Sequence, residues 1–229
     1  MSPEPVVILV HGAFHGPWAW SEVVPRLNSA GVRTVAVDLP SAGLDTGSLG
    51  DLHDDAEVVR AAIADAGGRA IVVAHSYGGL PVSEAAAGAQ HIVFLTSFVI
   101  EPGQSLLGLR GGVEPDWWMG SEDGRSLLPR NPQHVFYNDC PSEVAERAAA
   151  AIVPQSRASV TQELTTAAWQ TVPSTYVICE RDNAIPPPVQ EMMSARSGTV
   201  IRMDSGHSPF LSRPDDVTAI IQQALARPA

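Results

Sequence analysis

Six short runs rich in valine, isoleucine and threonine recur along the chain, and they constrain its fold more than any other feature. They lie at residues 6–10, 33–37, 70–74, 91–95, 175–179 and 199–203. These runs lack the alternation of polar and apolar residues that is typical of a half-exposed strand. Segments with helical character separate most of them, at residues 18–30, 49–66, 77–89, 187–197 and 214–226. This alternation predicts an α/β fold with a doubly wound, mostly parallel sheet of about six strands.

The alternation is interrupted once, by a long stretch without the strand pattern. Between residues 100 and 172 the chain is rich in glycine, proline and tryptophan, and helices are predicted there at 142–152 and 160–169. A length of 229 residues suits one large hydrophobic core better than two. We therefore predict a core formed by residues 1–99 and 173–229, with a mainly helical cap inserted above the sheet at 100–172.

The charge balance and the absence of lysine exclude several classes of function. The formal net charge is −11, with 25 acidic residues against 14 basic residues that are all arginines. Such a balance disfavours nucleic acids and anionic membranes as partners, because both repel an acidic protein. Without lysine the chain has no Schiff-base nucleophile and no phosphate-binding lysine of the Walker type. We expect a small-molecule substrate, no cofactor, and a monomer or homodimer.

The cysteines and the amino-terminal residues bear on metal binding and location. Cys140 and Cys179 are too few for a disulfide framework or a four-cysteine metal site. We therefore expect no metal. The first five residues lack the basic start of a signal peptide, and the apolar run at 6–10 is far too short to span a membrane. The expected location is the cytoplasm.

A serine stands at the end of the third apolar run. Residues 71–79 read IVVAHSYGG, so Ser76 lies between small residues where a strand turns into a helix. Such a turn exposes the hydroxyl at the carboxyl edge of a sheet and directs the following backbone N–H groups to the same space. The usual pattern at such a turn is Gly-x-Ser-x-Gly. This chain has Ala74 in place of the first glycine, which keeps the side chain at that position small. Taken alone, the serine could equally be the N-cap of the helix.

Two further strand ends carry side chains that would complete a catalytic triad. Asp182 follows the fifth run and His207 follows the sixth, which produces the order serine, acid, histidine expected of a hydrolase on this kind of sheet. Each has a simpler interpretation, since His207 could be a solvated loop histidine and Asp182 a turn cap. Glu180 competes for the role of the acid but lies closer to the strand, and Asp204 is expected to end its own strand. The coincidence at three strand ends favours catalysis.

The roles of these residues follow from their chemistry. His207 would accept the proton of Ser76 during attack, while Asp182 would fix the histidine tautomer and stabilise its positive charge. The backbone N–H groups of Ala13, in the loop after the first run, and of Tyr77 would stabilise the oxyanion. Water would then attack the acyl-enzyme with the help of the same histidine.

The chain resembles the α/β-hydrolase superfamily, and within it the branch of plant methyl esterases, hydroxynitrile lyases and small bacterial esterases. The resemblance spans nearly the whole chain and rests on the turn at Ser76 and on segments at residues 11–20, 38–45, 181–186 and 206–210. It implies a cap at 100–172 that covers the pocket. It also implies a triad and an oxyanion hole formed by the same residues: Ser76, Asp182 and His207, with Ala13 and Tyr77.

This branch contains lyases as well as esterases, and two positions separate them. The lyases that resemble this chain have a threonine after the first histidine and a lysine after the catalytic histidine, whereas this chain has Gly12 and Ser208. An aspartate nucleophile, as in dehalogenases and epoxide hydrolases, is excluded by Ser76. We therefore predict a serine esterase for small uncharged esters. A lyase or other non-hydrolytic reaction, and a ligand-binding pseudoenzyme, are the alternatives.

The substrate pocket is expected to be lined by residues beside the reacting groups and by the cap. Phe14 and His15 follow the oxyanion residue Ala13, and Gly12 precedes it. Ser208 directly follows the predicted catalytic histidine. Four aromatic residues of the cap could either line the pocket or pack beneath the cap: Trp117, Trp118, Phe136 and Tyr137.

Overall fold

A parallel sheet forms the centre of the molecule. The computed structural model describes residues 5–67 and 69–227. In chain order its strands are β1 (Val6–Val10), β2 (Thr34–Ala36), β3 (Ala70–Ser76), β4 (His91–Ser97), β5 (Trp118–Gly120), β6 (Ser126–Pro129), β7 (Gln155–Ser156), β8 (Ser174–Cys179) and β9 (Thr199–Met203). Six of them form the main sheet in the order β2-β1-β3-β4-β8-β9, with every pairing parallel. The predicted fold class and its six strands are confirmed.

The strand order creates a crevice at one edge of the sheet. The chain runs from β1 outwards to β2 and returns to β3 on the other side of β1, so the winding direction reverses between β1 and β3. Loops that leave neighbouring strands in opposite directions open a crevice at the carboxyl ends of those strands. The loop after β1 and the turn after β3, which carries Ser76, lie on the two sides of this crevice.

The helices pack on both faces of the sheet. They are α1 (Val23–Ser29), α2 (Leu52–Asp65), α3 (Gly79–Ala85), α4 (Leu106–Leu109), α5 (Pro132–Phe136), α6 (Ser142–Ala150), α7 (Arg157–Thr161), α8 (Pro187–Ser194), α9 (Pro209–Ser212) and α10 (Pro214–Leu225). The buried apolar residues form two hydrophobic clusters. The first cluster includes residues of α2 and α3, and the second includes residues of α1 and α10. No helix within the described ranges has the length and apolar character needed to cross a lipid bilayer.

Burial on both faces explains why the four inner strands of the main sheet show no polar alternation, whereas the edge strands β2 and β9 are partly exposed. In β1, Val6 and Ile8 belong to the first cluster, whereas Val7 and Leu9 belong to the second. Successive side chains of a strand point to opposite faces of the sheet, so a strand covered on both sides must be apolar throughout. The five core helices are present but shorter than predicted. For example, α2 begins at Leu52 because the side chain of Asp51 accepts hydrogen bonds from the backbone N–H groups of the first turn.

The cap segment, residues 100–172, contains mainly helices, as predicted, and also three short strands that were not predicted. β5, β6 and β7 form a three-stranded antiparallel sheet. The helix predicted at 142–152 is present as α6, but the one predicted at 160–169 is wrong, because α7 ends at Thr161 and only a 3-10 turn at Ala168–Gln170 follows. Strands of two to four residues are too short to show a period. The limits of core and cap stay a prediction.

Candidate active site

The turn after β3 holds Ser76 in a strained backbone conformation. Its φ of +52° lies in the left-handed region, which costs a residue other than glycine about 1–3 kcal/mol. The two loops of the crevice pack closely here, since a Cβ atom at Gly78 would lie 2.6 Å from the carbonyl oxygen of His11. A Cβ atom at Gly12 would lie 2.8 Å from the Cβ atom of Ser76. Both positions therefore require glycine if the serine is to keep its place.

Three polar side chains from separate strand ends meet beside this turn. The hydroxyl of Ser76 donates to Nε2 of His207 across 3.0 Å, and Nδ1 of His207 donates to Oδ2 of Asp182 across 2.7 Å. Ser76 is 8%, Asp182 4% and His207 1% exposed, so bulk water has little access to these bonds. The parallel sheet brings His207 to the serine from 131 residues away in the sequence. A serine bound to a base that is itself oriented by an acid can act as a nucleophile.

The carboxylate of Asp182 is held in place from all sides. Besides the bond from His207, it accepts hydrogen bonds from two backbone N–H groups and two side chains: Ala184 N–H at 2.7 Å, Ile185 N–H at 2.9 Å, Nε2 of Gln190 at 3.3 Å and Oγ1 of Thr96. A buried carboxylate needs such partners to stay charged. The orientation of Asp182 toward the histidine is therefore fixed before any substrate binds.

The two competing acids lie elsewhere. The carboxylate of Glu180 is 45% exposed and pairs with Arg202 at 3.5 Å. The carboxylate of Asp204 is 71% exposed and pairs with Arg181 at 2.7 Å. Of the three acids weighed from the sequence, Asp182 is the one that contacts His207.

Thr96 reaches Asp182 because the pairing of β3 with β4 is irregular. The register shifts by one residue between His75 and Ser76, which leaves Thr96 as the extra residue of a β-bulge in β4. Its φ of +40° is an outlier for a β-branched residue, and its hydroxyl is turned toward the carboxylate of Asp182. Sequence reasoning missed this residue, because a threonine in an apolar run is typical of any strand.

The predicted oxyanion donors lie on the wall of the cavity that Ser76 faces. Among the hydrogen bonds of the described residues, none uses the backbone N–H of Ala13 or of Tyr77, and both residues line that cavity. The carbonyl oxygen of Ala13 accepts a 2.7 Å hydrogen bond from Nδ1 of His15, which fixes the loop after β1. Two unused N–H groups beside a nucleophile are what a developing oxyanion requires.

Two buried histidines support this arrangement from behind. Nε2 of His15 accepts from the hydroxyl of Tyr137 at 2.9 Å, and burial lowers the pKa of His15 to about 3. Nε2 of His75 donates to the carbonyl oxygen of His207 at 2.8 Å. Burial, and to a lesser extent the neighbouring imidazole rings, holds the pKa of His75 well below its usual value. Both rings are therefore neutral at pH 7 and act as hydrogen-bonding supports.

An apolar cavity opens in front of Ser76. The space between its lining atoms, including the mouth, amounts to about 450 Å³. Of the described residues that line it, Arg110 alone carries a charge, and its side chain is exposed. Four residues predicted to line the pocket lie on its wall, namely Phe14, Trp117, Trp118 and Phe136. Seven lining residues were missed: Phe98, Leu106, Arg110, Pro115, Val160, Ala184 and Ile185. The missed residues belong to loops or short elements whose direction the sequence does not reveal.

Four other predicted pocket residues do not line this cavity. Gly12 lies behind Ser76, where it makes room for the side chains of β3. His15 and Tyr137 are 1% exposed and bind each other within the wall. Ser208 is fully buried next to the histidine. Proximity in sequence to a reacting residue did not bring these side chains to the substrate side.

Neither cysteine is among the described residues that line the cavity in front of Ser76. Cys140 and Cys179 are both free, and burial raises the pKa of the Cys140 thiol to about 12. In residues 5–67 and 69–227, no three His, Cys, Asp or Glu side chains are grouped so that they could hold a metal ion.

Known proteins of related sequence and structure match the whole length of the fold. A sequence profile described as "Alpha/beta hydrolase family" matches residues 7–220. The alpha/beta hydrolase nvfD of Aspergillus novofumigatus is 31% identical over 242 residues, covering 96% of each chain. Methyl jasmonate esterase 1 of Vitis vinifera is 29% identical over 252 residues, covering 94% of this chain and 95% of the relative. A solved pyrethroid hydrolase from Sphingobium faniae, 24% identical, has the same fold with a TM-score of 0.85 over 99% of both chains. The predicted resemblance to the methyl esterase branch is confirmed.

Proposed function

Because this chain belongs to the alpha/beta hydrolase family, we propose that it is a serine esterase that hydrolyses carboxylic esters through an acyl-enzyme intermediate. One observation carries the proposal, namely the continuous chain of hydrogen bonds from Ser76 through His207 to Asp182 beside an apolar cavity. This is the arrangement by which a serine hydroxyl, a weak nucleophile by itself, becomes reactive toward an acyl group.

The first half of the reaction acylates the serine. Oγ of Ser76, which already donates a 3.0 Å hydrogen bond to Nε2 of His207, attacks the ester carbonyl carbon while that nitrogen takes the hydroxyl proton. Asp182 stabilises the positive charge that forms on the imidazole, through its 2.7 Å bond to Nδ1. The tetrahedral intermediate then collapses, and His207 returns the proton to the departing alcohol.

Negative charge on the substrate oxygen is stabilised by backbone N–H groups. The donors are Ala13 and Tyr77, which flank Ser76 on the cavity wall and have no acceptor among the described residues. Removing one such donor in comparable enzymes costs about 3–4 kcal/mol of barrier. The second half of the reaction repeats the first with water as the nucleophile and His207 again as the base, which releases the acid and restores Ser76.

The substrate class follows from the character of the cavity. Its walls are mainly aromatic and aliphatic, and among the described residues that line it only Arg110, whose side chain is exposed, carries a charge. Burying a charged group against such walls is unfavourable, so we expect small uncharged esters with an apolar acyl or alcohol group. A relative named methyl jasmonate esterase supports a small alcohol group such as methyl.

We place the enzyme in the cytoplasm as a monomer or homodimer.

The decisive experiment labels the nucleophile and measures turnover. A fluorophosphonate should modify the protein once, at Ser76, and a panel of methyl, aryl and short-chain alkyl esters should be hydrolysed. Ser76→Ala should lose both labelling and hydrolysis. Ser83→Ala is the matched control, because Ser83 is a buried serine of the next helix whose hydroxyl has no partner among the described residues.

Each contrary outcome identifies a different function. An unlabelled serine together with unchanged turnover in Ser76→Ala would refute the proposal. Binding of esters without hydrolysis of any of them would indicate a pseudoenzyme. Cleavage of cyanohydrins in preference to esters would indicate a lyase, which Gly12, Ser208 and the absence of lysine disfavour.

A further inference from the structure

A buried glutamine of the cap segment binds the loop that carries Ala13. Gln155 is fully buried in β7, and its Oε1 accepts a 3.1 Å hydrogen bond from the backbone N–H of Phe14. Its Nε2 donates to the hydroxyl oxygens of Ser41 and Ser159, both at 2.7 Å. The proposed reaction makes no use of this residue, although its contacts lead directly to the reacting groups.

The backbone of Phe14 needs support from outside the loop. Its φ of +68° lies in the left-handed region, where the Cβ atom of any residue but glycine crowds its own backbone. The cap segment binds both polar backbone groups of this residue, because Gln155 accepts from the N–H and the N–H of Val153 donates to the carbonyl oxygen at 3.0 Å. Fixing the peptide between Ala13 and Phe14 restricts the backbone of Ala13 as well.

The same hydrogen bonds continue to the second oxyanion donor. Ser41 donates to the buried carboxylate of Asp55 from its N–H at 2.9 Å and from its hydroxyl at 2.5 Å. The hydroxyl of Tyr77 donates to the same carboxylate at 2.6 Å. Because the hydroxyl of Ser41 also accepts from Gln155, an unbroken path of hydrogen bonds joins the Phe14 N–H to the Tyr77 side chain.

We propose that Gln155 is a positioning residue for the oxyanion hole. It holds the Phe14 peptide directly, and it holds the Tyr77 side chain through Ser41 and Asp55, so that both backbone donors face the substrate oxygen. This inference rests on the proposed esterase function and deepens it. The cap segment then contributes to the stabilisation of the transition state in addition to covering the pocket.

The test compares two glutamines that join the cap segment to the core. Gln155→Met keeps the length of the side chain and removes its hydrogen bonds. Gln162→Met is the matched control, since Gln162 accepts from the N–H of Leu52 and donates to Asp51, both at 2.8 Å, at the start of α2. Kinetics on an aryl ester are combined with thermal unfolding and with affinities for a trifluoromethyl ketone and its unfluorinated methyl ketone. The fluorinated ketone adds to Ser76 and places its oxyanion in the hole, whereas the methyl ketone binds without reacting.

A positioning role predicts a specific pattern of losses. Gln155→Met should lower kcat by about 10- to 100-fold, because misplacing an oxyanion donor costs part of what removing that donor would cost. KM should stay within about twofold of the wild-type value. Affinity for the fluorinated ketone should fall in parallel with kcat/KM, while affinity for the methyl ketone stays unchanged. Gln162→Met should keep kcat and both affinities even where its melting temperature falls.

The contrary results are equally specific. A Gln155→Met protein with wild-type kcat, or with losses equal to those of Gln162→Met, overturns the role of Gln155. If that variant does not fold, Ser159→Ala removes one partner of Gln155 with less disturbance, and we expect about two- to fivefold lower kcat. An unchanged kcat in Ser159→Ala also overturns the role. A wild-type protein without esterase activity refutes the proposed function and this inference together. An active wild-type protein whose kcat is unaffected by the loss of Gln155 refutes this inference alone.

Discussion

The bulge at Thr96 makes its hydroxyl a measurable part of the proposed catalytic arrangement. We predict that Thr96→Val lowers kcat/KM because it removes one hydrogen bond to Asp182 while leaving the fold unchanged. Valine is also β-branched and nearly the same shape, so the strain of the φ of +40° is the same in both proteins. The comparison therefore isolates the hydroxyl.

The expected magnitude follows from the surroundings of the carboxylate. A hydrogen bond to a charged group contributes about 1.5–3 kcal/mol. Four other hydrogen bonds to Asp182 remain in the variant, including two from backbone N–H groups, so the lower end of that range applies. A loss of about 1.5 kcal/mol corresponds to roughly tenfold lower kcat/KM.

The assay is steady-state hydrolysis of an aryl acetate by the wild-type protein, Thr96→Val and Thr96→Ser, with thermal unfolding of all three. Serine keeps the hydroxyl, so Thr96→Ser should retain kcat/KM within about twofold. Wild-type activity in Thr96→Val would refute the reasoning, and so would an equal loss in Thr96→Ser, because the effect would then not depend on the hydroxyl.

Two further predictions concern crowding and buried charge. In Gly12→Ala the new Cβ atom would lie 2.8 Å from Nδ1 of His75 and from Cβ of Ser76, so kcat should fall more than about tenfold with about 1–3 kcal/mol of destabilisation. Gly43→Ala, whose Cβ atom meets nothing closer than 3.6 Å, should match the wild-type protein in both assays. Burial raises the pKa of Asp55 to about 6 from 3.8, so the native state holds this proton more tightly than the unfolded chain. The free energy of unfolding should therefore fall by up to about 3 kcal/mol as pH rises from about 4 to 6, and should level off above pH 6. Thermal unfolding measured across this pH range should show no such fall for Asp55→Asn. The same dependence on pH in the wild-type protein and in Asp55→Asn would contradict the prediction.

The architecture of the core was readable from local patterns. The apolar runs correspond to the six strands of the main sheet. The four inner strands are buried on both faces and must therefore be apolar along their whole length, while the edge strands β2 and β9 are partly exposed. Ser76, Asp182 and His207 could be selected because parallel strands end at one edge, so residues that directly follow those strands converge. The glycines beside Ser76 also carry a local signal, since backbone that approaches backbone closely leaves no room for a side chain.

The cap segment shows where local patterns fail. Its strands are two to four residues long, and its helices near 160 are single turns, so neither length nor periodicity distinguishes them. The three strands of the cap were missed for this reason, and the helix predicted at 160–169 was wrong. His15 and Tyr137 were predicted to line the pocket because both lie near the site in the sequence. The sequence does not reveal that they bind each other behind the wall of the cavity.

The sequence by itself determined the parallel sheet, the turn at Ser76 and the order of the residues that meet there, since each depends on periodicity or on the steric demands of neighbouring residues. Only the tertiary structure decided how the site is supported. Thr96 acquires its contact through a shift in strand register, and Gln155 meets Phe14 across 141 residues of sequence. Buried polar groups must be paired, but which partner pairs with which depends on the packing of segments far apart in the chain.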